Sequence, residues 1–182
     1  MFSNLNSLEL KEQKSYLKEG AYLVTIKSLI SSDSLDRKPK IPYIEYTAET
    51  KTGETCRIRL NGYKDGDGTS ETAKEVRGRI FKQFITNCGI KNFDDWVKSA
   101  KEAIGKSLYI ALNTREYWTN DSDGKPVVRK AVEYKTSSPS DKPLTYNPSY
   151  NKVLSPQQLR EFNEALKLHG QSEDVSNDDL PF

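Results

Sequence analysis

The chain has 182 residues, 28 Lys plus Arg against 26 Asp plus Glu, one His and two Cys, with 35% apolar and 30% charged residues and a formal net charge of +2. With a mean hydropathy of −0.78, these totals suit one domain of ordinary size with a modest core and extensions that need not pack, or two very small domains. They exclude a helical membrane span, the N-terminal MFSNLNSLELKEQ lacks the apolar centre of a signal peptide, and one histidine with two separated cysteines cannot assemble a zinc cluster.

Residues 1–19 are polar and read as an N-terminal extension. GAYLVTIKSLIS, residues 20–31, alternates Tyr22, Val24 and Ile26 on one side with Leu23, Thr25 and Lys27 on the other, which predicts a half-buried strand. After the polar SSDSLDRKPK, the stretch IPYIEYTAETKTGETCRIRL predicts two strands about a Thr52-Gly53 turn. In the second, Cys56, Ile58 and Leu60 share one face and Arg57 and Arg59 the other. A helical insertion is expected over 69–105. Its first helix is capped by Ser70, carries Ala73, Val76, Ile80, Phe84 and Cys88 at helical spacing, and stops at Gly89. A second runs from near Asn92 through Trp96, Val97, Ala100 and Ile104 to Gly105. SLYIALNTREYW predicts a fourth strand, with Leu108, Ile110 and Leu112 facing one way and Tyr109, Arg115 and Tyr117 the other. TNDSDGKP turns into a fifth, VVRKAVEYK, whose inward face the charge pattern leaves unassigned. Residues 137–154 are Ser/Pro-rich and read as a linker. In 155–169 a helix starts at Ser155-Pro156, shows a Leu159, Phe162, Leu166 stripe and is expected to stop at Gly170; residues 170–182 form an acidic tail.

Three strands, a helical segment and two more strands, over 20–136, follow the plan of the OB fold, a five-stranded Greek-key barrel that binds oligonucleotides and oligosaccharides. The charge supports a polyanionic ligand. Glu173, Asp174, Asp178 and Asp179 give the last twelve residues −4, so the first 170 carry +6. A sequence-tolerant single-strand binder combines cations for the backbone with exposed rings on which bases stack. The candidate phosphate contacts are Lys27, Arg57, Arg59, Arg115 and Arg129. The candidate stacking residues are Tyr43, Tyr117 and Trp118, with Tyr63 and Tyr109 behind them. Tyr and Arg also populate exposed sheets through cross-strand packing alone, so the set and the +6 body carry the reading together.

Other chemistry finds little support. Phe81, Phe84 and Trp96 have helical spacing and aliphatic neighbours, which favours core packing over stacking. DGDGTSE places Asp65, Asp67 and Thr69 at alternate positions, but the sixth position is not glycine and the twelfth is Val76, so no calcium loop is expected. His169 sits in the last turn of its predicted helix, where it favours the helix dipole. No Walker loop, dinucleotide fingerprint or nucleophile elbow occurs, so neither an enzyme nor a cofactor is expected. Cys56 and Cys88 read as reduced, buried thiols of a cytoplasmic protein.

The C-terminal Asp178-Asp179-Leu180-Pro181-Phe182, after a Pro/Ser linker and a basic OB-like body, resembles the single-stranded DNA-binding proteins of bacteria and their phages. Those tails end in acids followed by an aliphatic residue, Pro and Phe. The resemblance implies a non-enzymatic protein of DNA replication, recombination and repair. Its tip would recruit a helicase, primase, polymerase, nuclease or recombinase, setting the Phe ring in an apolar pocket and the carboxylates against Lys or Arg. The body departs from the housekeeping pattern, with a doubled helical segment and a short, glycine-poor linker. GRIFKQFITNCGI and GKSLYIALNTREYWTNDSDGKPVV look more like the divergent proteins of tailed phages, which leaves the family's homo-oligomeric assembly open. Two rivals remain: a recombination mediator or strand-annealing protein, and a phage OB module that binds a protein instead of DNA.

Overall fold

The computed structural model describes residues 16–33, 42–63, 66, 68–93 and 95–175. Residues 1–15, Asp65 and Asp67, and the tip Asp178, Asp179, Leu180, Pro181 and Phe182 lie outside the described residues. The elements are β1 (Gly20–Asp33), β2 (Pro42–Glu49), β3 (Thr55–Asn61), α1 (Glu71–Asn87), α2 (Trp96–Glu102), β4 (Ser107–Asn120), β5 (Pro126–Pro139), a 3-10 turn (Pro148–Tyr150) and α3 (Pro156–Val175). One antiparallel sheet takes all five strands in the order β3-β2-β1-β4-β5.

The strand alternations land where the pleat puts them. Val24 and Ile26, Ile44, Tyr46 and Ala48, Cys56, Ile58 and Leu60, and Leu108, Ile110 and Leu112 form one buried face. Each fully buried Leu, Ile or Phe contributes about 1.5–3 kcal/mol. The hairpin between β2 and β3 closes at Thr50–Glu54, where Gly53 takes φ 88°, a left-handed value that favours glycine. In β1 a bulge between Ile26 and Ser28 leaves Lys27 outside the register. The chain ahead of β1 is tied in as well: Leu17 is buried, and its N–H donates to the Thr55 carbonyl.

The barrel closure expected from the strand order is not reached. β3 and β5 are the sheet edges, no ladder joins them among the described residues, and α1 lies against both. Asn87 holds this junction. It is buried, its amide donates to the Ser137 carbonyl and hydroxyl, both at 2.9 Å, and its own oxygen accepts from Gln83. Tyr134 supplies the inward face of β5 that the sequence left open: its ring meets Phe84 edge-on and its hydroxyl donates to Ser137.

The helices depart from the expected faces. Ser70 caps α1 as predicted, its hydroxyl accepting from the Ala73 N–H. The buried side is Phe84, Ile85, Asn87 and Cys88, while Val76 and Ile80 are 44% and 45% exposed. Only the last turns of α1 sit on the core, and its packed arc runs through Phe81, about one residue round from the predicted stripe. α2 begins at Trp96 instead of near Asn92, because the Asp95 carboxylate accepts from the N–H groups of Val97 and Lys98. It buries Ser99 and Ala100, with Ala103 just beyond, and leaves Trp96 55% exposed. These small residues let α2 lie close to Tyr46, whose buried hydroxyl donates to the Ala100 carbonyl at 3.0 Å.

The Ser/Pro-rich segment is held along the sheet. Residues 137–139 belong to β5. Lys152 exchanges backbone hydrogen bonds with Thr114 and Glu116, and the Asn151 side chain accepts from Asn113 and from the Thr114 N–H. In α3, Ser155 and Gln158 make a reciprocal capping box. The helix passes through Gly170 to Val175, so His169 lies inside it and not in its last turn. A helical glycine costs about 1 kcal/mol against alanine and ends a helix only when it turns left-handed. No helix among the described residues is long and apolar enough to cross a membrane.

Candidate functional site

The pleat of the sheet sorts the predicted residues. Cross-strand registers place Tyr43, Arg57, Arg59, Tyr109, Arg115, Tyr117 and Arg129 on the face opposite the core. On β2 and β3 they form a compact group. The Arg59 guanidinium lies 4.1 Å from the centre of the Tyr43 ring, in the range of a cation–π contact. Glu45, buried between them, accepts from Arg59 at 3.0 Å and stands 3.6 Å from Arg57. The two arginines keep 48% and 67% of their side chains exposed. Lys27, at the bulge of β1, stands 3.6 Å from Glu49.

A second group follows β4 and β5, which run past the end of β1 as a hairpin. Tyr117 and Arg129 are register partners, Arg115 pairs with Glu133 at 2.7 Å, and Arg129 has no acidic partner among the described residues. Tyr109 sits further back, between Leu23 of β1 and Ser138 of β5. Trp118 follows Tyr117 directly and therefore points to the reverse side of the hairpin. There its ring centre is 6.3 Å from that of Phe162, so α3 docks on it through the predicted stripe. Tyr63 lies beyond β3, with the Lys74 ammonium 5.8 Å from its ring.

Sequence reasoning missed a third feature. A cleft of about 300 Å³ opens where the ends of β2 and β3 meet α1 and α2, lined by Tyr43, Tyr63, Phe81, Trp96, Arg77 and Gly78 among others. Phe81 and Trp96 stand edge to face at 6.5 Å. The Arg77 guanidinium donates to the Gly62 carbonyl at 2.9 Å and to the Thr69 hydroxyl at 3.1 Å. Tight backbone at Gly62, whose N–H donates to the Pro42 carbonyl at 2.7 Å, closes the sheet side. The available signal was the pair of aromatics four and nineteen residues after Arg77. Their helical spacing read as core because no periodicity reveals which helix end the sheet covers.

The buried ionisable groups are built for structure. Burial pushes the Cys56 and Cys88 thiols up to about 12, with Lys106 opposing the rise at Cys88. Both cysteines are unpaired, and a protonated buried thiol is neither nucleophile nor metal ligand. Burial likewise raises Tyr134 to about 12, against its hydrogen bond with Ser137, and holds Tyr46 protonated. No group of three or more metal-ligating side chains occurs among the described residues. No protein-family model matches the chain, and comparison with curated proteins returns no match.

Proposed function

We propose that this chain is a sequence-independent single-stranded DNA-binding protein of the OB type, with its strand path open between β3 and β5. The observation that carries the reading is the outer face of β2 and β3, where Tyr43 lies under Arg59 with Arg57 beside it. A ring for a base and cations for the adjacent phosphates are thereby held together on rigid strands, and Tyr117 with Arg129 repeats the combination on β4 and β5. Two further facts support it: the helical pair sits between the third and fourth strands, and the first 170 residues carry +6. In this reading the protein protects single strands in the cytoplasm without catalysis. Its tip, Asp178 to Phe182, recruits replication, recombination or repair proteins.

One observation favours the rival of a protein-binding module. Arg57, Arg59, Arg115 and Lys27 all have carboxylate neighbours within 3.6 Å, which lowers the free positive charge of the face. Fluorescence titration of labelled oligo-dT, against a duplex of the same length and at two salt concentrations, separates the two readings. A DNA binder should prefer the single strand and lose affinity with a log–log salt slope near −0.7 per neutralised phosphate. Salt-insensitive or absent binding would leave the protein-binding module. The same titration on a chain ending at residue 177 should show equal or tighter binding; weaker binding would place the tip in the DNA site.

A further inference from the structure

We propose that the cleft between the β2–β3 ends and the helical pair receives one unstacked nucleobase of the bound strand, a subsite that rests on the single-strand reading above. Four rings, Tyr43, Tyr63, Phe81 and Trp96, line a space of about 300 Å³, the lower end of the range for small-ligand pockets. Two of them are unusually open for apolar rings: Trp96 is 55% exposed and Tyr63 45%. No acidic residue lines the cleft among the described residues, and Arg77 does. Its two observed bonds leave guanidinium donors over.

Gly78 adds an independent argument. It sits inside α1, where glycine costs about 1 kcal/mol relative to alanine. A Cβ built there would meet nothing within 4 Å, so no packing contact requires its absence. Its effect is to leave the helix surface bare where it borders the cleft. Continuity with the outer face then says what enters. Tyr43 belongs both to the cleft and to the stack under Arg59. A strand whose phosphates lie along Arg57 and Arg59 therefore brings its next base to the cleft mouth. A flat, uncharged, stackable group attached to a polyanion matches rings inside and cations at the rim.

The test is an anisotropy titration of labelled oligo-dT with the wild-type chain, Trp96→Ala and Gly78→Gln across a salt series, with thermal melts of each. Both variants should lose about tenfold in affinity, the worth of one stacked base. The salt slope should stay unchanged, because no phosphate contact is removed, and the melts should shift by a few degrees at most. Gly78→Gln adds a side chain at the border of the cleft without cutting any contact, so it is a second probe of the cleft should Trp96→Ala unfold. If the wild type binds and a folded Trp96→Ala, or failing that Gly78→Gln, binds equally well, the cleft holds no base while the DNA reading stands. A weakened variant with a shallower slope would make the cleft part of the phosphate path and overturn the base subsite. No binding of oligo-dT by the wild type would remove both.

Discussion

Glu45 controls the charge of the outer face more than any arginine does. It lies in the middle of β2 with Arg57 and Arg59 on the neighbouring strand, its carboxylate 3.6 and 3.0 Å from their guanidiniums. Buried charges survive when paired and hydrogen-bonded, and here the pairing also holds Arg59 over Tyr43. A phosphate must compete with Glu45 for the same donors. Because both arginines are about half or more exposed, each pair is worth at most about 1 kcal/mol after solvent screening. Glu45→Gln keeps the shape and removes the competitor. It should tighten oligo-dT binding by up to about fivefold, within that range, and steepen its salt slope. Equal or weaker binding would show that the carboxylate serves to position the arginines for the strand.

At the scale of elements, the strands were legible and the helices only in part. A strand's period of two leaves a single choice of face, and Cys56, Ile58 and Leu60 turned inward as their apolar character requires. A helix offers a continuum of faces. In α1 the aliphatic Val76 and Ile80 read as core, yet the fully buried residues are Phe84, Ile85, Asn87 and Cys88 near its end, and Val76 and Ile80 face solvent. In α2 the buried residues are Ser99 and Ala100, too small to dominate a pattern beside Trp96. α3 shows the opposite case, since its stripe was legible and its partner was not. Phe162 meets Trp118 on the reverse side of the hairpin, which makes the helix a cover over a ring expected to stack bases. In a Trp96→Phe background Trp118 is the sole tryptophan, and adding Phe162→Ala should move its emission to longer wavelength. Because Phe162 is only half-buried, stability should fall by roughly 1 kcal/mol, below the cost of a core Phe→Ala. An unmoved emission maximum would mean that α3 does not cover Trp118 in solution.

For the whole molecule, the buried acids tie stability to alkaline pH. In the unfolded chain Cys56 and Cys88 release protons near 9.0 and Tyr134 near 10.0, whereas the folded protein holds all three up to about 12. Their folded values are raised, so this stabilisation is complete below pH 9 and is lost as pH climbs towards 12. Stability should therefore fall between pH 9 and 11, by about 1 kcal/mol per pH unit for each proton the unfolded chain has already released. Thermal melts followed by circular dichroism across that range check it. A midpoint flat to pH 11 would mean that these groups reach solvent more easily than their burial implies.

What the sequence determined by itself is what depends on neighbours along the chain: the alternation of β1 to β4, the Thr52-Gly53 turn, the Ser70 and Ser155 caps, and the separation of Arg57 and Arg59 from the core. Those features follow from backbone geometry within a few residues, and any fold containing them must respect it. The tertiary structure decided which edges stay open, how the 146–152 segment lies along β4, and which arc of α1 is buried. It also brought Tyr43, Tyr63, Arg77 and Trp96 to one cleft across more than fifty residues of chain. No local pattern encodes such a meeting, because it depends on how the helical pair packs on the sheet, where buried Ala100 and the Tyr46 hydroxyl bonded to its carbonyl join α2 to β2.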